Sequence, residues 1–371
     1  MSSEEEEESL GFFRHPAQLT ALYTVFYSLV FIAGLLGNTF VVLAVVLNRQ
    51  LRTTTDYLIS SLASADLLII LFCLPTTLLN NILTEWQLGA IMCKWSTWIN
   101  STTSCASIYT LVAVTSDRFF AICYTLKYTL WDSAYTLYVI ACIWLLSGAL
   151  AAPNLFYYNQ VVYNFTTESN ATISYKLCFS EVDEKLHFVV VNLILAFLVP
   201  FLLISISYTL IFIRVSTHRS LAVDAQMRDE RIKLRVAHMM LTVIVVFALC
   251  WFPLYTIYVY FFFIADQTST LFLIASTVLR PFFQWLSLLS SSLNPLIYIA
   301  YSQKYRQAFH RLLVSIIGQH YEKVEELSTK RSKHSTTRSS NGRLRRKKEE
   351  WEETREETSS PSTVPPHKTS L

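Results

Sequence analysis

Charge is what this sequence has least of. Asp, Glu, Lys and Arg make up 15% of it, against about 25% in an average soluble protein. Apolar residues make up 53% and the mean hydropathy is positive. The scarcity is organised, with no charged residue from Pro16 to Asn48 or from Trp95 to Ser116. Uncharged apolar runs of about 20 residues are what a bilayer demands of a helix, because every backbone polar group must bond internally there. A buried soluble helix explains one such run but not seven. Other absences narrow the function. No metal-ligand cluster and no nucleophile–base pair stands out, which leaves an enzyme without support. A seven-span transporter predicts internal repeats and several midplane charges; no repeat is visible and Asp66 is the sole deep charge. No cysteine follows Cys250, so palmitate cannot anchor the segment after the last span.

The spans read as Leu22–Leu47, Tyr57–Leu83, Ile91–Cys123, Ala134–Phe156, Leu186–Ile213, Val236–Ile264 and Thr270–Tyr301. Pro200, Pro253, Pro281 and Pro295 fall inside them, as membrane helices in a bundle tolerate. Lys and Arg set the orientation. With the N-terminus outside, Arg49, Arg52, Lys127, Arg214, Arg219, Arg228, Arg231, Lys233, Arg235 and the basic tail lie in the cytoplasm. Only Arg14, Lys94, Lys176, Lys185 and Arg280 lie outside. Glu4 to Glu8 are the opposite of a signal peptide's basic start, so span one is expected to begin insertion. The expected fold is an all-α seven-transmembrane helix bundle. Its parts are an acidic extracellular N-terminus (1–20), the bundle (21–301), an amphipathic helix on the inner leaflet (302–317) and a disordered cytoplasmic tail (318–371). Tyr305, Phe309, Leu312, Leu313 and Ile316 recur at helical spacing opposite Lys304, Arg306 and Arg311, as such a helix requires.

Cys93 and Cys178 face the oxidising side and can pair. Asn164 and Asn170 open glycosylation sequons in the loop that holds Cys178. In that loop Gln160–Phe165 and Ser174–Phe179 alternate like the strands of a β-hairpin. Asp66 is costly at mid-membrane and needs polar company. Asn38, Ser107, Ser291 and Asn294 lie at comparable depth, and either a small cation or a hydrogen-bonded packing knot satisfies this set. In the tail, Ser335-Thr336-Thr337, Ser339-Ser340 and Thr358-Ser359-Ser360 are phosphorylation clusters that would recruit arrestin. Thr369 and Leu371 match the end of a PDZ-domain ligand. The basic runs Lys330–Lys333 and Arg343–Lys348 fit acidic membrane lipids rather than nucleic acid.

Asp117-Arg118 ends span three, and Asn294-Pro295-Leu296-Ile297-Tyr298 closes span seven. Cys250-Trp251-Phe252-Pro253 lies in span six, Gly37-Asn38 in span one, Leu62–Asp66 in span two and Trp144 in span four. Trp86-Gln87-Leu88-Gly89 precedes Cys93. In this order these motifs resemble the rhodopsin-like (class A) G-protein-coupled receptors, over Leu22 to Phe309. The resemblance implies that Arg118 is a switch held by Asp117 at rest and released to meet a G protein, with Tyr208 and Tyr298 swinging inward to support it. It implies that Trp251 is a toggle, that Ile108, Pro200 and Phe247 repack between pocket and cytoplasm, and that Asp66, Asn38, Ser107 and Asn294 hold sodium. It also implies a Cys93–Cys178 disulfide. There are departures: Phe119 replaces the usual Tyr, Tyr305 replaces Phe, and Lys233 stands where some members carry an acid, with Glu230 about one turn away.

An amine receptor would carry Asp at the depth of Asn100, and an opsin would carry a lysine in span seven; this sequence has neither. The pocket positions are Asn100, Ser101, Ser104, Tyr255, Tyr258, Arg280, Gln284 and Leu288, with Glu181, Asp183 and Glu184 at the mouth. A hairpin lid over a polar, aromatic lining suits peptide-binding members. Leu62–Pro75, Thr84–Lys94 and Leu249–Thr256 resemble the neuropeptide branch, near the galanin/allatostatin, orexin and cholecystokinin receptors. A same-fold receptor for a lipid or small molecule is the alternative. Eleven acidic groups outside (Glu4 to Glu8, Glu85, Glu168, Glu181, Asp183, Glu184 and Asp266) against five basic ones predict a basic peptide.

Overall fold

The computed structural model describes residues 12–124, 134–166, 172–180, 182–218, 224–266 and 268–317. The chain forms two compact units, Met1–Phe309 and His310–Leu371; of the second, helical residues 310–317 are described. The first is the bundle.

Seven helices are long and apolar enough to cross a membrane: Ala17–Leu47, Thr54–Ile82, Gly89–Cys123, Tyr135–Tyr157, Lys185–Ser216, Lys233–Phe263 and Thr270–Tyr301. Each matches the span read from sequence to within a few residues; three stop one residue short of it, at Leu83, Ala134 and Ile264, and several run about a turn further at one end. Span six continues inward as one helix, Asp224–Phe263. Span three, bordered by spans two, four and five, is the central pillar.

Three spans widen into π-helical turns, at Ile69–Cys73, Phe188–Leu198 and Ala275–Leu279. Each run ends two residues before a proline: Pro75, Pro200 and Pro281. Proline lacks the N–H that would bond the carbonyl four residues back, and its ring crowds that carbonyl. A wider turn relieves the conflict while the neighbouring carbonyls find other donors. Pro253 and Pro295 sit within continuous α-helix.

Close packing of span one depends on two glycines. A Cβ at Gly34 would stand 2.6 Å from Ile70 Cδ1, and one at Gly37 would stand 2.8 Å from Pro295 Cγ. The absence of side chains there lets span one lie against spans two and seven. Tyr27, Val30, Ile69, Ile70, Cys73, Leu74 and Leu288 form the apolar core at that junction.

Short polar devices fix the ends. Thr53 and Asp56 form a capping box at the start of span two: Thr53 Oγ1 accepts from Asp56 N at 3.3 Å, and Thr53 N donates to Asp56 Oδ2 at 3.3 Å. After span seven, helix Gln303–Ile317 lies where an amphipathic helix is expected; Tyr305 and Ala308 are buried and the Phe309 ring lies 5.1 Å from Phe40.

On the outer side, strand β1 (Tyr158–Thr166) pairs antiparallel with β2 (Thr172–Ser180), longer than the alternation predicts. Cys178 stands opposite Gln160 and is bonded to Cys93 at the outer end of span three. The first outer loop adds a second tether, Trp86 N donating to Lys176 O at 2.7 Å. Trp86 is buried and donates Nε1–H to Gly89 O at 2.8 Å; Gly89 has φ +77°, which only glycine takes without strain. The Trp-Gln-Leu-Gly motif is therefore a turn that grips the hairpin. Residues 12–15 add a further cover: Phe13 bridges Leu83, and Arg14 N donates to Ile82 O at 2.9 Å.

Candidate functional site

At the end of span three opposite Cys93, Asp117 and Arg118 are both buried and form an ion pair, with Arg118 Nε donating to Asp117 Oδ2 at 3.1 Å. Thr55 of span two completes the arrangement. Its hydroxyl donates to Asp117 Oδ2 at 2.8 Å and accepts from Arg118 Nη2. The guanidinium is thereby held against spans two and three. Tyr208 of span five donates to Ala237 O of span six at 3.1 Å, closing the inner ends of those helices together. Tyr298 is fully buried, and its hydroxyl has no hydrogen-bond partner among the described residues. Its ring lies 5.7 Å from Tyr305, whose hydroxyl donates to Asp56 Oδ1 at 3.3 Å. Burial first, then the nearby Asp56 charge, pushes the Tyr305 phenol well above its ordinary pKa, so it remains a donor. The Glu230 side chain lies outside the described residues.

In mid-membrane, Asp66 is 2% exposed and accepts from Asn294 Nδ2 at 2.8 Å. Asn38 Nδ2 donates to Gly34 O at 3.0 Å and to Ser291 O at 2.9 Å. The Asn38 Oδ1 and Ser107 Oγ atoms are buried without partners. Buried oxygens without a partner among the described residues are what a small hard cation or water would take. No cluster of three His, Cys, Asp or Glu side chains suited to a metal ion exists among the described residues. Any ion here would rest on one carboxylate and neutral oxygens.

Above this layer, Trp251 donates Nε1–H to Ser290 Oγ at 3.2 Å and stacks on Phe247 at 5.3 Å. Phe247 lies 6.2 Å from Phe201. Ile108, Pro200 and Phe247 are buried and Trp251 is half-buried. Tyr255 stands 4.5 Å from Phe197 and 6.1 Å from Trp251, linking the outer cavity to the tryptophan through a run of rings.

The outer positions divide. Gln284 is a hub: its Nε2 donates to Tyr258 at 3.3 Å and its Oε1 accepts from Asn81 Nδ2 at 3.0 Å. Asn81 also donates to Tyr27, which donates to Pro281 O, each at 3.2 Å. Ser104 bonds back to Asn100 O at 2.7 Å. The Asn100 side chain is exposed. Ser101 is engaged by Asn154 Nδ2 at 2.7 Å, which turns it toward the end of span four. Arg280 Nε is buried without a partner. Asp183 is exposed, with Oδ1 accepting from Lys185 N at 3.1 Å. Glu184 accepts from Tyr158 at 3.0 Å, and burial raises its carboxyl above the usual range. Glu181 and Asn170 lie outside the described residues, as do Thr369 and Leu371. Asn164 is exposed on β1 and bonded by Ser174 at 2.7 Å.

Thr55, Asn81, Ser290 and the segment 12–15 carry contacts that the sequence motifs do not single out. The Thr53-x-x-Asp56 capping box was a usable signal near Thr55; nothing local marks Asn81.

The family described as 7 transmembrane receptor (rhodopsin family) matches residues 37–298. Neuropeptide FF receptor 2 of Mus musculus is 30% identical over 347 residues, covering 90% of this chain and 82% of that receptor. The QRFP-like peptide receptor of Branchiostoma floridae is 30% identical, over 78% of this chain and 76% of its own. Human cholecystokinin receptor type A is 28% identical, over 78% and 79%. With seven spans and this inner and outer arrangement in place, the chain belongs to the rhodopsin family of seven-transmembrane receptors.

Proposed function

We propose that this protein is a cell-surface receptor for an extracellular peptide, which it converts into activation of a heterotrimeric G protein. The single observation that carries the reading is the build of span three. Its outer end holds the hairpin through Cys93, and its inner end holds Arg118 against Asp117 and Thr55. A ligand that moves the lid or the aromatic run beneath it acts on the element that restrains the switch. The printed names of the relatives, receptors for neuropeptide FF, a QRFP-like peptide and cholecystokinin, support a peptide ligand. The acidic outer face supports a basic one, since a field of that sign raises the on-rate of cations.

The same reading takes the N-terminus outside, from the distribution of Lys and Arg. It takes the protein as a receptor without catalysis. It assigns sodium to Asp66, Asn38, Ser107, Ser291 and Asn294, supported by the buried Asn38 and Ser107 oxygens that have no partner among the described residues. Arrestin binding to the phosphorylated tail, glycans on Asn164 and Asn170, and a PDZ-domain partner complete it, each from sequence alone. The test is a screen of amidated and free-acid neuropeptides on expressing cells, read by calcium and cyclic nucleotide. A peptide that signals through the protein and fails with Arg118→Ala, at equal surface binding, is expected. Signalling only by lipids or small molecules overturns the peptide assignment.

A further inference from the structure

The outer surface as a whole is acidic, yet one corner of it is cationic. Arg14 belongs to the segment that crosses the outer end of span two, held by the Phe13–Leu83 bridge and the Arg14 N to Ile82 O bond. Arg280 precedes Pro281, whose carbonyl accepts from Tyr27, which accepts from Asn81, the neighbour of Ile82. The two arginines thus meet across a junction of spans one, two and seven that is fixed by hydrogen bonds. Enclosure first, and then the like charge of Arg280, lowers the pKa of Arg14. Neither arginine forms an ion pair with a described residue. Arg280 Nε and His15 Nε2 are buried with no hydrogen-bond partner. Burial, then Arg14, lowers the His15 pKa against a hydrogen bond to the Asn81 backbone that raises it; in the neutral ring that bond takes the one N–H and leaves Nε2 an acceptor. Two mutually repelling guanidiniums and an Arg280 Nε–H without a partner among the described residues, set in a rigid polar corner, are costly without an anion.

We infer that Arg14 and Arg280 form a subsite for a carboxylate at the outer mouth of the receptor. A carboxylate takes paired N–H groups from guanidinium in the plane that Arg presents and cancels the repulsion between the two cations. Two sources carry this chemistry: an acidic side chain or free C-terminus of the peptide ligand, or the chain's own Glu4–Glu8 run, a few residues before Arg14. The first source rests on the proposed peptide-receptor reading; the subsite itself does not. A ligand that is basic toward the acidic loop then carries a compensating acid at this end.

The test labels surface-expressed receptor with p-hydroxyphenylglyoxal, which attacks guanidinium, and maps Arg14 and Arg280 by mass spectrometry. N-acetylglutamate should slow labelling of Arg280 at least about threefold relative to chloride at matched ionic strength. The protection should vanish in Arg14→Gln and persist in Arg14→Lys, which keeps the charge and cannot itself be labelled. Arg280 unprotected both in the wild type and in the variant with Glu4–Glu8 replaced by Gln, or equal protection in Arg14→Gln, overturns the subsite. Replacing Glu4–Glu8 by Gln separates the sources. Faster labelling without added anion assigns the carboxylate to the chain itself, and unchanged labelling assigns it to the ligand. A peptide screen that finds no agonist overturns the peptide reading and leaves the labelling result standing.

Discussion

Thr55 offers a direct measure of how firmly the switch is held. Its hydroxyl is at once a donor to Asp117 Oδ2, at 2.8 Å, and an acceptor for Arg118 Nη2. Both bonds involve a charged group, and Thr55 is 6% exposed, so water does not replace them readily. Hydrogen bonds to charged groups contribute about 1.5–3 kcal/mol each. Thr55→Val keeps the shape and removes both, while the Asp117–Arg118 pair itself remains. On the proposed switch role of Arg118, its side chain leaves this arrangement in the active state, so the loss falls on the resting state. Taking about 1.5 kcal/mol as the net differential, the active-to-resting ratio rises about twelvefold, and an active population of about 1% without agonist becomes about 11%. The assay is agonist-free nucleotide exchange on G protein in membranes at matched receptor density. Thr55→Ser retains the hydroxyl and should stay near the wild type. Basal exchange in Thr55→Val equal to the wild type, or equal elevation in Thr55→Ser, refutes the reasoning.

Arg118→Ala should abolish agonist-stimulated exchange while leaving ligand binding and surface expression within about twofold, measured on the same membranes. If Asp66 holds sodium with a dissociation constant of about 50 mM, 150 mM sodium chloride should stabilise the resting protein by about 0.8 kcal/mol over choline chloride; thermal unfolding in the two salts should differ for the wild type and coincide for Asp66→Asn. Gly37→Leu should lower the unfolding temperature by an amount corresponding to about 1–3 kcal/mol, because its Cβ would meet Pro295 Cγ at 2.8 Å. Glu184 has its carboxyl raised by burial beside Tyr158, so the fold favours its protonated form. That contribution is fully present below the ordinary carboxylate pKa and is lost as pH rises through the raised value; hydrogen exchange at the base of the hairpin should therefore be slower in acid, and Glu184→Gln should flatten the dependence.

The bundle was legible because membrane insertion writes itself into composition: a charge-free run of sufficient length has few alternatives. The span ends were less so. Residues Ala17–Ala21 and Thr54–Asp56 are only moderately apolar, and their helicity is settled by capping and packing rather than by hydropathy. The switch was half visible. Asp117 and Arg118 stand out as charges at a span end, but Thr55 is one of three consecutive threonines, and only the packing of span two on span three selects it. Ser101 was placed in the pocket by its depth, whereas its bond from Asn154 depends on a turn after Ala151 that hydropathy does not register. The π-turns had a signal in Pro75, Pro200 and Pro281, yet Pro253 and Pro295 carry the same signal without the turn. Proline permits the widening; the neighbours of each helix decide it.

Those three turns have a consequence for how this molecule can change. A π-turn is one residue more than an α-helix needs for the same rise, so it offsets the outer part of a span by about 100° against the inner part. Spans two, five and seven each carry that offset above the layer of Asp66, Tyr208 and Tyr298. Deleting one residue within such a turn restores plain α-helix and rotates only what lies beyond it. The surface that meets a ligand can thus be re-registered in a single step, while the part that meets the G protein keeps its alignment. The molecule behaves as two helical assemblies joined by adjustable couplings, one open to revision and the other conserved in register.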